Sequence, residues 1–318
     1  LKLYIMTLVQ LEYIIAVDKH RHFAKAAAHC FVTQPSLSTQ IQKLEEELGV
    51  KIFDRNKQPV LPTDAGKEII EQAHKILAEA SHLNDIVDIK KGKLSGELRI
   101  GIIPTLAPYI LPLFIQAFTK SYPDIRLIIT EYTTDIIVSK LREGSIDAGI
   151  LVTPLQENGI KEDILFYEEL IAFVSKKNAA FNKTYMLPKD IDPEKLWLLE
   201  EGHCLRSQIV NLCELKPISI EKRNFLYEAG SIDTLKRMVD LYDGITILPE
   251  LATLGLGAKE QKQLRYFKTP SPVREVSIIT HRDFVKKRMI HALKEKILEV
   301  LPEKIEKNKP SLVVQIEN

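Results

Sequence analysis

No stretch of the 318 residues strings together the ~18 apolar residues that span a bilayer. The first residues also lack the basic, apolar and small-residue regions of a signal peptide, so a cytoplasmic chain with no membrane partner is expected. Cysteine is scarce: three residues in a reducing compartment exclude a disulfide framework and leave thiols that are either reactive or simply packed. With 13 Gly and 16 Pro, glycine and proline are too few for a fibrous or low-complexity chain. A surplus of positive charge is also missing. The net charge is +1, and residues 1–66 hold eight Lys and Arg against seven Asp and Glu, so any nucleic-acid binding has to be carried by motifs. The eight His and three Cys do not cluster at zinc spacing, so no metal and no cofactor is expected.

What is present is an ordinary globular composition, 45% hydrophobic and 27% charged, long enough for two or three cores. Residues 1–5 precede Met6 and are left out of the functional reading. From Leu8 to Val17 apolar residues recur at helical spacing, and Phe23 to Cys30 forms a short Ala-rich helix in which Cys30 reads as a packed thiol. Thr33 is an N-cap for a further helix from Gln34 to Leu48, with Pro35 in the tolerant first turn and Gly49 as the stop. Leu37, Ile41, Leu44 and Leu48 fall on one buried arc. The opposite arc presents Pro35, Ser38, Thr39, Gln42 and Lys43, side chains suited to base edges in a major groove, although a solvated polar face has the same pattern. Two short strands, within 50–55 and 60–63, then flank the polar tip Asn56-Lys57-Gln58 as a wing, with Arg55 and Lys57 near phosphates.

The stretch FAKAAAHCFVTQPSLSTQIQKLEEELGVKIFDR resembles the winged helix-turn-helix of LysR-type transcription regulators. That resemblance implies binding to double-stranded promoter DNA, with Lys25 on phosphate, Gln34, Pro35, Ser38 and Thr39 facing bases, and Arg55 in the flanking groove. It also implies RNA polymerase as a partner.

One long helical pattern runs from Thr63 to about Ile89. Ile69, Ala73, Ile76, Ala80, Leu83 and Val87 follow a 4, 3, 4, 3, 4 spacing, which is a heptad seam for a coiled-coil homodimer; a helix lying on its own domain's core is the alternative. A two-fold pair of reading helices implies a pseudo-palindromic site, and such dimers can pair into a tetramer. Residues 90–96 read as a hinge.

Beyond Gly96 apolar strands alternate with helices. Strands are predicted at 98–103, 126–130, 146–152, 171–174, 196–199, 225–227, 245–248 and 276–280, and helices at 111–121, 135–142, 231–242 and 284–300. The alternation predicts an α/β unit with mostly parallel sheets, arranged as two lobes around a cleft. It resembles the periplasmic-binding-protein-like effector domain of LysR-type regulators. The expected division is therefore a winged helix-turn-helix at 6–62, a linker helix at 63–92 and a regulatory domain at 96–305. Lobe I covers about 96–166 and 270–305, and lobe II about 167–269, with chain crossings near Phe166 and Thr269.

Cys204 follows Gly202 and His203 at the start of a helix-compatible run that includes Arg206. Helix dipole, hydrogen bonding and positive charge are three reasons to expect a lowered thiol pKa there. Cys213 lies nine residues on. Along one regular helix the α-carbons would be ~13 Å apart, whereas a disulfide needs under ~7 Å, so a bond between them requires local unfolding. A sulfenic acid on Cys204 that condenses with Cys213 would trap a rearranged segment and so make a sensor. Two unrelated buried thiols fit the spacing as well.

The segment LEEGHCLRSQIVNLCE, with GIIPT and GITILP, resembles the peroxide-sensing branch of the LysR-type family. The resemblance implies hydrogen peroxide as the signal, a thiol reductant for resetting, Cys204 as the peroxidatic thiol and Cys213 as the resolving one. It implies further that Thr105 and Thr134 hydrogen-bond the peroxide and that His203 and Arg206 support the thiolate and leaving oxygen. Thr105 fits independently, since it follows a strand and Pro104 and is expected with its hydroxyl at the cleft mouth. The chain departs from that branch at Leu226, where a His is common, and at Gly230, which replaces a hydroxyl residue. Two rivals stay open: a small organic effector in the cleft with incidental cysteines, and a thiol peroxidase, against which the lack of a C-x-x-C motif counts.

Overall fold

The computed structural model describes residues 6–55, 57–90, 94–214, 229–281, 286–305 and 312–316, with the backbone alone for 78 and 81–90. These fall into two compact units, one of the residues up to 90 together with 142–145, the other of 94–141 and those from 146 onwards. The expected strand at 225–227, Leu226, Asn56 and residues 91–93 of the hinge lie outside the described residues.

In the first unit, helices α1 (Leu8–His20), α2 (Phe23–His29) and α3 (Gln34–Leu48) surround a core of Leu11, Ile14, Val17, Leu37, Ile41 and Leu44. Thr7 and Gln10 close a reciprocal cap on α1, and the Thr33 hydroxyl accepts from the Ser36 amide to start α3. The wing is an antiparallel pair, β1 (Phe53–Asp54) and β2 (Leu61–Pro62). Helix α4 (Asp64–Lys90) follows directly, its first turn capped by the Thr63 hydroxyl, which accepts from Gly66 N–H at 2.9 Å. At Gly66 a β-carbon would sit 2.0 Å from the Ile52 carbonyl oxygen, so only glycine lets α4 pass the wing this closely. Gly66→Ala should therefore cost the first unit about 1–3 kcal/mol, measurable as a lowered urea midpoint; an unchanged midpoint would show that the junction yields freely.

The second unit opens with β3 (Gly96–Ile102), α5 (Ala107–Ser121), β4 (Ile125–Glu131), α6 (Thr134–Arg142) and β5 (Ala148–Thr153). Strand β3 is parallel to both β4 and β5. The long strand β6 (Ile160–Val174) is followed by α7 (Cys204–Leu212), α8 (Ile232–Leu241), β7 (Ile245–Pro249), α9 (Ala258–Gln261), β8 (Leu264–Arg265), β9 (Val273–His281) and α10 (Lys287–Val300). One core, with Leu98, Ile100, Phe114, Phe118 and Ile150, underlies the parallel strands, and a second, with Phe173, Trp197, Leu205, Leu235 and Ile247, underlies the later elements. Strand β6 contributes Phe166 to the first and Leu170, Phe173 and Val174 to the second, with a register shift between Ile164 and Phe166.

The expectation of mostly parallel sheets is corrected. Among the described ladders, β5 with β9 and β6 with β7, β8 and β9 are all antiparallel. The cause is that β9 lies antiparallel between β5 and residues 160–169 of β6, while residues 170–174 of β6 pair with β7 and β8, which alternation of strands and helices in sequence does not reveal. Residues 196–199 form no strand and make only single bridges, Leu196 with Ile245 and Leu199 with Ala229.

A further buried group lies just after β7. Burial pushes the Glu250 carboxyl up to about 7, with repulsion from Glu169 and Glu168 adding to it against the Glu169 amide and Lys304. Kept neutral in the fold, it favours folding below its ordinary value and progressively less as pH rises towards about 7. Glu250→Gln should flatten that decline by on the order of 2 kcal/mol between acid and alkaline buffers, read from urea unfolding at each pH. The same slope in both proteins would remove Glu250 as its source.

Candidate functional site

The reading helix presents its polar arc as the sequence suggests: Gln34, Pro35, Thr39, Gln42 and Lys43 are exposed, as is Lys25 on α2. Ser38 and Arg55 differ. The Arg55 guanidinium donates to Ser38 Oγ at 2.9 Å, meets Glu45 at 3.4 Å and lies over the Phe23 ring at 4.9 Å. Gln42 donates to Glu46 at 3.2 Å. Glu45, first of the acidic run 45–47, is buried and accepts from the Ile52 and Phe53 amides at 2.8 and 3.3 Å. It pins the wing to α3, and Arg55 neutralises it. On α4, Ala73 is buried against the unit's own core, while Ile69, Ile76 and Ala80 are half-buried; the side chains of Leu83 and Val87 lie outside the described residues.

In the second unit Gly202, at φ +89°, makes the left-handed turn that delivers His203 and Cys204 to the start of α7. His203 is the N-cap but supplies no side-chain cap, and its Nε2 lies 3.6 Å from Glu200. Cys204 is buried in the first core while its neighbours Leu205 and Ile209 belong to the second. Its sulfur is 2.7 Å from the Thr134 hydroxyl at the start of α6, where either atom can donate. Cys213 caps the far end of α7, half-buried, and all three cysteines are free. Cys30 lies just past α2 rather than within it. At the helical rise per residue, the α-carbons of Cys204 and of Cys213, just past α7, lie ~13 Å apart.

The lowered pKa expected for Cys204 is corrected by this packing. Burial pushes the thiol up, outweighing the Thr134 hydrogen bond, the nearby Arg274 charge and its own amide. Arg206 is not among the charges that shift this thiol; its guanidinium donates to the Leu199 carbonyl at 2.7 Å. Burial likewise pushes Cys213 up to about 12. Thr105 is also corrected: it is buried rather than at a cleft mouth. Its hydroxyl and carbonyl accept from Arg274 at 3.1 and 3.2 Å.

Arg274 is the residue that reading the sequence missed. Fully buried on β9, it donates to Glu168 on β6 at 2.7 Å as well as to Thr105, and Glu168 accepts from the Leu251 amide at 3.0 Å. The signal was a charged pair, Arg274-Glu275, abutting an apolar strand; β9 extends through it because both are buried. Glu275 is satisfied by Thr153 at 2.7 Å and Tyr167 at 3.0 Å. The arrangement is a buried thiol, held above its ordinary pKa, beside a hydroxyl and near a cation that is itself balanced by a carboxylate. Such a site can bind a small polar molecule and stabilise charge as it develops on sulfur.

A helix-turn-helix with a wing, followed by a two-core α/β unit with a buried thiol, defines a DNA-binding regulator with a sensing domain. Residues 8–67 match the bacterial regulatory helix-turn-helix proteins of the lysR family, and 91–302 match the LysR substrate binding domain. The chain belongs to the LysR family of regulators, and this makes it a regulator rather than an enzyme. It is 37% identical over 247 residues to the DNA-binding transcriptional dual regulator OxyR of Escherichia coli, covering 78% of this chain and 80% of that one. A cysteine-to-aspartate variant of full-length OxyR from Pseudomonas aeruginosa superposes with a TM-score of 0.77 at 32% identity, covering 93% and 99%. A cysteine-to-serine variant of Corynebacterium glutamicum OxyR, hydrogen peroxide-bound, gives 0.61 at 28% identity, covering 94% of each. Within the family the chain is OxyR-like.

Proposed function

We propose that the protein senses hydrogen peroxide at Cys204 and converts the signal into a Cys204–Cys213 disulfide that alters its action on promoter DNA. The observation that carries this reading is the Cys204 thiol at 2.7 Å from Thr134, with Cys213 at the other end of the same helix. The similarity to a peroxide-bound relative supports it. In the first step the Cys204 sulfur attacks one peroxide oxygen, the O–O bond breaks, and water leaves as the second oxygen takes a proton. The Thr134 hydroxyl donates to the ionising sulfur, and the Arg274 charge favours that ionisation; Thr105 and His203 complete the polar lining. In the second step the Cys213 thiol attacks the sulfenic sulfur, forming S–S and releasing a second water. A dithiol reductant returns two electrons and two protons to reset the pair.

Because Cys213 is pushed up to about 12 where it sits, its thiolate forms only after the end of α7 has opened to solvent. Resolution and rearrangement are then one event. Arg206, released from Leu199, becomes a charge available to the opened segment.

The reading includes the division into a DNA-binding domain at 6–62, a linker helix at 63–92 and a regulatory domain at 96–305 whose lobes meet near Phe166 and Thr269. Homodimers form through α4 on Ile69, Ile76, Ala80, Leu83 and Val87, with Ala73 supporting the seam from the core side; dimers pair into tetramers and engage RNA polymerase. On DNA, Gln34, Pro35, Ser38, Thr39 and Gln42 face bases while Lys25 and Arg55 meet phosphate. Thr39→Ala should cost about 1–3 kcal/mol of discrimination between operator and random sequence, whereas Arg55→Ala should weaken binding to both alike. Fluorescence anisotropy with both duplexes checks this, and equal affinity of the unmodified protein for the two would sink the assignment of the reading helix. For the sensor, peptide mass spectrometry of peroxide-treated protein should find the Cys204–Cys213 link. Its absence, with regulation kept when both thiols are serine, would return the cleft to a small organic effector.

A further inference from the structure

Residues 312–316 lie against the helix that carries both thiols. Along one edge they pair with the start of β9: Val273 N–H donates to the Leu312 carbonyl at 3.0 Å, Val314 N–H donates to the Val273 carbonyl at 2.8 Å, and Val313 bridges Val273 in parallel. Along the other edge two side chains of α7 hold them. Gln208 Nε2 donates to the Val314 carbonyl at 2.9 Å, and Asn211 Nδ2 donates to the Gln315 carbonyl at 3.3 Å. Val314 is buried in the second core and Ile316 packs on the first. Gln208 is fully buried, and its Oε1 has no partner among the described residues, so the strap is what anchors this amide.

We infer that segment 312–316 is a strap that holds α7 wound, that it is released when Cys204 and Cys213 join, and that its grip sets how fast an oxidised Cys204 is resolved. This rests on the disulfide reading above. The two donors lie inside the span that must shorten from ~13 Å to under ~7 Å for the sulfurs to bond. Val314 is tied to Val273 on the sheet, so its carbonyl cannot follow Gln208 as α7 unwinds. Opening the helix therefore breaks both side-chain bonds and draws Val314 from its core. Loss of two such bonds slows opening by roughly tenfold relative to a chain without them. The device suits a sensor: the peroxide step at Cys204 does not involve the strap, while the slower structural step does.

The test uses the full chain, reduced and peroxide-treated, with amide hydrogen exchange and the disulfide fraction measured on the same samples. Protection of the 312–316 amides and of Val273 should fall by roughly tenfold or more on oxidation, with β3 and β5 unchanged. Asn211→Ala and Val314→Ala should each speed conversion of the Cys204 sulfenic acid to the disulfide by roughly threefold to tenfold. The rate of peroxide consumption should not move. A disulfide that forms with protection at 312–316 intact, or variants that resolve at the unmodified rate, would overturn the strap alone. If no disulfide forms, the reading beneath it fails instead. The exchange contrast in the unmodified chain decides the matter even where a variant folds poorly.

Discussion

Cys204→Ser is expected to abolish the reaction with hydrogen peroxide, while Cys213→Ser leaves a thiol that reacts and stops at sulfenic acid or oxidises further. The asymmetry follows from position. Cys204 begins α7 beside Thr134 and within reach of the Arg274 charge, whereas Cys213 packs against the second apolar core and, among the described residues, burial alone shifts its thiol, upward. Without Cys213 no second thiol closes the bond, so oxidation climbs the ladder in place. Trapping with a sulfenic-acid reagent and intact-mass measurement distinguishes the two variants; equal slow reactivity in both would end the case for a switch. The direction of the Cys204 shift adds a pH test. Because burial raises this thiol above its ordinary value, the rate should keep climbing from about pH 7 to about pH 9 rather than level off in acid.

Removing Arg274 should be the most damaging substitution away from sulfur. Its guanidinium is the cation beside the buried Glu168 carboxylate, which also accepts from the Leu251 amide. Arg274→Leu therefore strands a buried charge and should cost about 3–5 kcal/mol of stability. Adding Glu168→Gln should recover much of that, since the stranded charge is gone, while peroxide reactivity stays low because the nearby charge that favoured ionisation is missing. Urea unfolding and peroxide consumption on the two variants separate the roles. If the double variant regained full reactivity, Arg274 would matter to the thiol only through stability.

Much of the first unit was legible because its signals are local. Thr33, Pro35 and Gly49 bound α3, and the spacing of Leu37, Ile41 and Leu44 fixes its buried face, as the structure has it. The second unit was legible as strands and helices but not in its pairing. Nothing near β6 or β9 in sequence says that they pair antiparallel or that β6 passes from one core to the next, and the charges at 161–163 and 274–275 hid how far both strands extend.

The candidate site divides in the same way. The sequence by itself determined helix α3, the turn at Gly202 and a helix-compatible run that starts at Cys204, because capping and periodicity are properties of a short stretch. Only the tertiary structure decided that Cys204 faces Thr134, that Arg274 rather than Arg206 is the cation near it, that Glu45 is a buried anchor, and that residues 312–316 lie on α7. Each of these joins residues far apart in the chain inside a place from which water is excluded. Burial there reversed the expected pKa of the thiol, and desolvation is set by whatever else is packed around a group, which no local pattern records.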